Sequence, residues 1–338
     1  MAYITLNKKH FFHNLDIITN QTKSKDKIAL VLKDNAYGHG LLEIAFMAKE
    51  YGIKKAVVRC EVEAQMVKGY FDTILVLAHI PQKADAKISY TINDITTIKE
   101  FPKHTKVQLK VDTGMNRNGI EMDEMEEAFV QIALYELSLE AVFTHHSSAD
   151  EFSDTFTMQK QNFHKVKQHA RVLAQKYKMQ ELAFHSCNSA ALFRTEDFDE
   201  DMARIGIGAY GCLVMPQEFD IPPLKPVLSL YANKLSTRVL QEDECVGYSA
   251  TYQAKSVCCV SNYDVGYADG FMRSCSNHYV TPEGVDIAGR ISMDNSSFLS
   301  DAEELLIFND AKEVAKFADT IAYEVLTSLK NYITRKIV

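Results

Sequence analysis

Residues 27–52 read KIALVLKDNAYGHGLLEIAFMAKEYG. An apolar run, KIALVLK (27–33), leads into a polar, glycine-containing turn. LLEIAFMAKEYG then places apolar residues three and four apart, the spacing of an amphipathic helix. Seven further apolar runs follow: KAVVR (55–59), TILVL (73–77), ISYTI (88–92), KVQLKV (106–111), LEAVFTH (139–145), ELAFHS (181–186) and ARIGI (203–207). EVEAQMVKG after the second run and MDEMEEAFVQIALYEL after the fifth are again helical in period. Eight strands alternating with helices over about 210 residues fit a (β/α)8 TIM-type barrel. A doubly wound sheet is the alternative, disfavoured by the count of eight and by the lack of a strong Gly-rich fingerprint.

After Gly211 the texture changes. Residues 216–226 (PQEFDIPPLKP) hold four of the seven prolines and read as a linker. VLSLYANKLSTRVL, SVCCVSNYDVGYADG, DIAGRISMDNSSFL and ELLIFND follow, short β-rich runs broken by Gly, Asn and Asp turns. The last segment, AKEVAKFADTIAYEVLTSLKNYITRK (311–336), has helical spacing. The expected architecture is α/β: a barrel over 8–222, then a smaller mostly-β domain over 226–338, with residues 1–7 packing against the second domain.

The 338 residues carry 45 acidic and 37 basic side chains, a formal net charge of −8. This mild acidity, without a basic tail, argues against nucleic acid or an anionic membrane as partner. No apolar run approaches the ~18 residues of a bilayer span, and MAYITLNKKHFFHN lacks the apolar stretch of a secretory signal. Seven cysteines with no CxxC pair suit reduced thiols in a cytoplasm better than a disulfide framework. Cys258 and Cys259, in SVCCV, read as buried thiols.

In a (β/α)8 barrel, function sits at the C-terminal ends of the strands. Those positions hold Lys33, Lys110 with Asp112, His145, His185 and Arg204. Each alone has an ordinary reading: a snorkelling Lys, a satisfied structural His, an ion-paired Arg. Together on one rim they point to a site. A Lys leaving an apolar strand is expected to have a lowered ammonium pKa, which suits a nucleophilic amine and a Schiff base. Gly206 and Ile207, in the loop after the eighth strand, offer backbone N–H groups where barrels commonly hold phosphate. A strand-end Lys facing a phosphate cradle implies a phosphorylated aldehyde, pyridoxal 5′-phosphate.

VLKDNAYGHG (31–40) resembles the cofactor-lysine signature of bacterial alanine racemases. The similarity continues in order through LKVDTGMNRNGI (109–120), FTHHSSADE (143–151), FHSCNSAA (184–191), ARIGIGAYG (203–211), VGYSATY (246–252), VGYADG (265–270), AGRISMDN (288–295) and IAYEV (321–325). The resemblance implies a pyridoxal-phosphate enzyme, a barrel plus a β domain, that interconverts L- and D-alanine for cell-wall synthesis as a head-to-tail homodimer. It implies that Lys33 holds the cofactor and acts as one base, and that Tyr248, from the partner subunit, is the other. His145 matches the histidine that hydrogen-bonds that tyrosine. Arg204 matches the arginine on the pyridine nitrogen, where a guanidinium keeps the ring unprotonated and restrains side reactions such as transamination. His185 matches the residue that orients it. Tyr37, Ser189, Gly206, Ile207 and Tyr323 match the phosphate set. Arg117 matches a residue at the phenolic oxygen and substrate carboxylate, and Met293, by its backbone N–H, a partner-chain contact to that carboxylate. Tyr267 and Tyr323 match the narrow neck of the pocket. Lys110 matches a lysine that is often carbamylated; an unmodified ion pair is the rival. No residue matches a metal ligand.

The chain departs from the family pattern at Asp34, Arg59, Asn116 and Ser249. Asp34 either acts on the neighbouring Lys33 or faces solvent; Asn116 stands where a small residue is usual, Ser249 where Gly is. The expected substrate is alanine, with a broad or serine racemase of the same fold as the main alternative. A decarboxylase of related fold lacks its Cys-plus-Asp block here. A cofactor carrier without turnover would not need the β domain or Tyr248.

Overall fold

The structure is a computed structural model that describes residues 1–338. The chain opens on strand β1 (Tyr3–Leu6) and helix α1 (Lys8–Thr22), whose first turn is capped by the Asn7 side chain accepting from the His10 N–H. Eight parallel strands follow: β2 (Ile28–Val31), β3 (Lys55–Val58), β4 (Thr73–Val76), β5 (Ile88–Ile92), β6 (Lys106–Lys110), β7 (Ser138–Phe143), β8 (Ala183–His185) and β9 (Ala203–Ile205). Their ladder runs β9-β2-β3-β4-β5-β6-β7-β8, a nearly closed barrel. Each strand lies within one of the eight expected runs or starts one residue before it. β2 and β5 are buried at every position, as strands between a packed barrel interior and an outer helix layer must be.

No ladder joins β8 to β9. Single bonds close this seam: Arg204 N–H to the Cys187 carbonyl (2.9 Å), Asp201 N–H to the Phe184 carbonyl (3.1 Å), and Phe184 N–H to the Asp201 carboxylate (2.7 Å).

The outer layer includes α2 (Leu41–Tyr51), α3 (Glu61–Val67), α4 (Met125–Leu134), α5 (Asp154–Lys176) and α6 (Ser189–Phe193). α2 buries Leu41, Ile44, Ala45, Met47 and Ala48, one face of its 3.6 period, and stops at Gly52 with φ 101°. The step from β5 to β6 carries only a 3₁₀ turn, Ile95–Glu100.

The second domain is built on the long strand β10 (Leu228–Leu240), beyond which come β11 (Cys245–Val246), β12 (Tyr252–Gln253), β13 (Cys258–Tyr263), β14 (Ser296–Phe298), β15 (Glu304–Phe308), α7 (Ala311–Ala318), α8 (Ala322–Ser328) and β16 (Thr334–Ile337). Its main sheet is ordered β14-β13-β10-β1-β16, with β15 also on β10. β1 pairs antiparallel with β10 and parallel with β16, so the N-terminus lies in the C-terminal sheet. The helical reading of 311–336 holds through α7 and α8 and fails at the end: Thr334–Ile337 is a strand, because β1 offers it an unpaired edge. One apolar cluster of 88 buried residues runs from Ile4 through the barrel to Ile333, so the two domains share a core rather than meeting at a hinge.

Candidate active site

At the C-terminal end of the barrel lies a cavity of about 1200 Å³. Its walls include Lys33, Tyr37, Lys110, Arg117, His145, Ser189, Arg204, Gly206, Ile207 and Tyr323. Ten of the sequence-nominated residues therefore meet in one space.

Lys33 comes two residues past the end of β2, and the chain then makes a left-handed turn. Asp34, Asn35, Ala36 and Tyr37 all have φ between 51° and 56°. L-residues avoid this region at a cost of about 1–2 kcal/mol each, so the turn must be held from outside. Glu63 accepts from the Asp34 N–H (2.7 Å), the Asn35 side chain accepts from the Leu41 N–H (2.8 Å), and Arg335 of β16 grips the Gly38 carbonyl with two nitrogens (3.1 and 2.8 Å). The Asp34 carboxylate is 35% exposed but does not stand alone. It takes a 2.9 Å ion pair from Arg59, so two of the family departures are partners.

The turn delivers the Tyr37 ring, buried against Tyr210 and Tyr323. Its hydroxyl lies over Gly206, where any Cβ would collide with it. Ser189 Oγ accepts from the Gly206 (3.2 Å) and Gly208 (3.1 Å) N–H groups. This is a backbone-lined cradle with hydroxyls around it, which suits a phosphate.

Arg204 projects from β9 and is 5% exposed. Its Nη1 donates to His185 Nδ1 (2.5 Å), and Nη2 to the carbonyls of Thr144 (2.7 Å) and Ser186 (3.0 Å). His185 Nε2 faces the Gln108 side-chain oxygen (2.9 Å). Burial, then the nearby guanidinium, holds His185 neutral, its pKa far below the ordinary range. With Nε2 donating to Gln108, Nδ1 is left as the acceptor for Arg204. His145 is lowered in the same way, by burial first and then by Arg204, Lys110 and Arg117.

Lys110 ends β6, 8% exposed, with its ammonium lowered to about 8 by burial and then by Arg117 and Arg204. Asp112 shares its strand end but does another job. Its carboxylate accepts from the N–H groups of Gly114 (2.7 Å), Met115 (2.9 Å) and Arg117 (3.1 Å), shaping the loop that carries Arg117. Burial raises the Asp112 pKa, and these backbone donors more than reverse that. Asn116 in the same loop has φ 55°, a left-handed conformation that Asn tolerates at modest cost, and Ser249 has φ 62°, where the Gly usual in the family would carry no Cβ penalty.

Lys33, Lys110 and Arg117 make no side-chain hydrogen bond or ion pair to any carboxylate, and Thr91 Oγ1 is buried in the cavity wall without a partner. A cradle whose Gly206 leaves no room for a Cβ, a lysine amine and a surplus of cations together suit an anionic aldehyde cofactor and a carboxylate substrate.

Residues 6–214 match the family described as alanine racemase, N-terminal domain, and residues 227–337 the alanine racemase C-terminal domain. The chain belongs to the alanine racemase family. It is 42% identical over 335 residues to the alanine racemase of a Nitratiruptor species, covering 99% of each chain. It is 41% identical over 340 residues to that of Campylobacter curvus, covering 100% of both. Among solved structures, the alanine racemase of E. faecalis superposes with a TM-score of 0.87 at 26% identity, covering 100% of this chain and 98% of that one. That of Bacillus anthracis, solved with bound L-Ala-P, does so at 0.87 and 25%, covering 100% and 95%. The family's pyridoxal-phosphate chemistry thus has a cavity here with the expected residue types around it.

Four nominated residues do not line this cavity: His185 is fully buried beside Arg204, and the other three lie elsewhere. Tyr248, Tyr267 and Met293 lie on the second domain, 66%, 40% and 59% exposed. They are joined into one surface: Arg290 bonds the Ser249 hydroxyl (3.1 Å), and the Tyr267 N–H bonds the Ser292 carbonyl (3.1 Å). The sequence reading missed Gln108, Thr91 and Glu63. A Gln inside the apolar strand KVQLKV is the one visible signal among them, because a buried amide needs a partner.

Proposed function

We propose that the protein interconverts L- and D-alanine with pyridoxal 5′-phosphate, in the cytoplasm, supplying D-alanine for peptidoglycan. The observation that carries this reading is the Lys33 amine in a cavity where Lys110, Arg117 and Arg204 outnumber the carboxylates of Asp150 and Glu151, with the Tyr37, Ser189 and Gly206 cradle in the same wall. Bound there through Lys33, the cofactor would supply the electron sink that makes the substrate's α-proton removable. Tyr37, Ser189, Gly206, Ile207 and Tyr323 would hold its phosphate, and Arg204, positioned by His185, would face its ring nitrogen. A guanidinium does not surrender its proton, so that nitrogen stays unprotonated and the sink stays weak. Arg117 would pair with the substrate carboxylate.

Racemisation needs a proton carrier on each face of the α-carbon. Lys33 supplies one. The other is Tyr248 of a second copy of the chain, with Tyr267 and the Met293 N–H beside it. In one chain these three are exposed and outside the cavity, which a homodimer with shared sites would explain. His145, held neutral and accepting from Arg204 at Nδ1 (3.4 Å), carries its proton on Nε2 and would donate it to the Tyr248 oxygen. Lys110 would carry a carbamate: the neutral amine adds to CO2, an N–C bond forms, and the released proton goes to solvent. The product is an anion between Arg117 and Arg204, in place of a third cation.

α-Proton exchange followed by NMR in D₂O, with cofactor present, tests the reading on L-Ala, D-Ala, L-Ser and L-Lys. Exchange with inversion for alanine alone is the expected result. Comparable inversion of serine or lysine makes the enzyme a broad racemase, and no exchange overturns the assignment. Lys33→Ala is expected to abolish the absorbance of covalently held cofactor; a retained band removes Lys33 from its role.

A further inference from the structure

The seam between β8 and β9 contains a buried carboxylate. Glu200 is 9% exposed. Its Oε2 accepts from the N–H groups of Ser186 (2.6 Å) and Cys187 (3.3 Å), and its Oε1 from the Ser186 hydroxyl (2.6 Å). Arg204 stands on the other side of the same backbone. Its Nη1 donates to the His185 carbonyl (3.3 Å) and its Nη2 to the Ser186 carbonyl (3.0 Å). Two consecutive peptide units, His185–Ser186 and Ser186–Cys187, therefore each turn their N–H toward Glu200 and their C=O toward Arg204. A peptide dipole has its positive end at N–H and its negative end at C=O. Both units lie between the two charges in the favourable sense for each.

Arg204 itself touches no carboxylate; its five side-chain bonds go to carbonyls and imidazole nitrogens. A buried cation without a counter-ion is costly. The ionisable groups around it are His185 on β8, His145 and His146 after β7, Lys110 on β6, Cys187 and, behind the backbone, Glu200. The histidines are held neutral, the Cys187 thiol is pushed up to about 12 by burial, and Lys110 is cationic or neutral. Glu200 is the one anion in the set. Burial lowers the Arg204 pKa to about 10, and Glu200 is the foremost group opposing that fall.

We infer that Glu200 is the counter-ion of Arg204, acting through the two intervening peptides, and is thereby a positioning residue for the guanidinium that faces the cofactor ring. The last clause rests on the proposed function; the ion pair itself does not. Asp201, next in the chain, serves as the comparison: its carboxylate bonds only the Phe184 N–H, closing the same seam without bonding the backbone that Arg204 holds.

The test compares E200Q, E200D and D201N. In cofactor-free protein labelled with 15N-arginine, hydrogen exchange of the Arg204 Nη protons is read by NMR, with R204K giving the assignment. In holoenzyme, pyruvate formed per racemisation event is read. This reports transamination, in which alanine is oxidised to pyruvate while its amino group passes to the cofactor. The ratio does not depend on how much enzyme is folded. E200Q should speed Arg204 exchange about tenfold, the equivalent of one charge-assisted hydrogen bond, and raise the pyruvate ratio. E200D, with its charge one methylene further away, should fall between. D201N should lower the melting temperature and change neither readout. Unchanged exchange in E200Q, or equally fast exchange in D201N, overturns the inference. Should E200Q not fold, E200D decides it in the same way. Faster exchange without a higher pyruvate ratio keeps the ion pair and overturns the positioning role. Wild-type protein that takes up no cofactor overturns the proposed function, while the exchange result still stands or falls alone.

Discussion

Lys110 sits among cations. Burial, then Arg117 and Arg204, brings its ammonium to about 8 from an ordinary 10.5. Between those two values the unfolded chain holds the proton and the folded chain does not. Stability from this site therefore grows as pH rises through that window. The same shift exposes a neutral amine near pH 8, which is what carbamate formation requires. With 13C-bicarbonate, a carbamate carbon signal should strengthen as pH rises through about 8 and be missing in Lys110→Ala. No signal at any pH would leave Lys110 an unmodified amine. At this scale the sequence was readable where a residue type was unusual for its place: a Lys, a His or an Arg at the mouth of an apolar strand. It was not readable where the partner came from elsewhere in the chain. Asp34 and Arg59 both looked anomalous, yet nothing in a linear reading pairs residues across two strand ends. Glu200, in a run of acidic residues, gave no sign that it faces the backbone behind Arg204.

The left-handed turn after β2 shows how one element depends on another. Four non-glycine residues at positive φ store strain that local sequence cannot offset. The restraint comes from β16 through Arg335, which also bonds the carbonyls of Lys330, Asn331 and Ile333. Gly38 closes the turn at φ 74°, with its Cα against the Leu326 carbonyl of α8, so no side chain fits there. Arg335→Met keeps the apolar stem and removes the fork. It should cost about 3 kcal/mol of stability and weaken cofactor binding, because the turn also presents Lys33 and Tyr37. A denaturant midpoint and a cofactor absorbance titration measure the two effects. Loss of stability with cofactor affinity intact would show that β16 supports the domain but not the turn. This coupling explains the one misread element. Residues 334–337 have helical spacing in sequence, but the free edge of β1, more than 300 residues earlier, decides their conformation, and edge pairing of that kind has no local signature. The eight barrel strands were legible because each is buried on both faces and so is written as a continuous apolar run.

For the whole molecule, the division of the site residues is the main consequence of the architecture. The Lys33 cavity opens at the barrel mouth, whereas Tyr248, Tyr267 and Met293 form an exposed surface on the second domain of the same chain. The shared apolar core between the domains opposes a hinge that could fold that surface back over its own barrel. In the proposed mechanism a second copy placed head-to-tail brings Tyr248 to the face opposite Lys33. Tyr248→Phe should then suppress α-proton exchange strongly for one enantiomer of alanine, L-alanine, and less for the other, since the tyrosine serves one face. A single-turnover exchange assay measures both directions, and equal losses would argue against a one-face role. Mixing subunits asks the same question of the assembly. Lys33→Ala and Tyr248→Phe chains, each inactive with itself, should regain activity when unfolded and refolded together. A heterodimer has one site with both defects and one with neither. With random pairing, half the dimers are mixed and each mixed dimer carries one intact site, so recovery should approach about a quarter of the wild-type value. Recovery at that level places Lys33 and Tyr248 of each working site on different chains. No recovery, with heterodimers demonstrated by differential tagging, would place both bases on one chain and require the domains to move relative to each other.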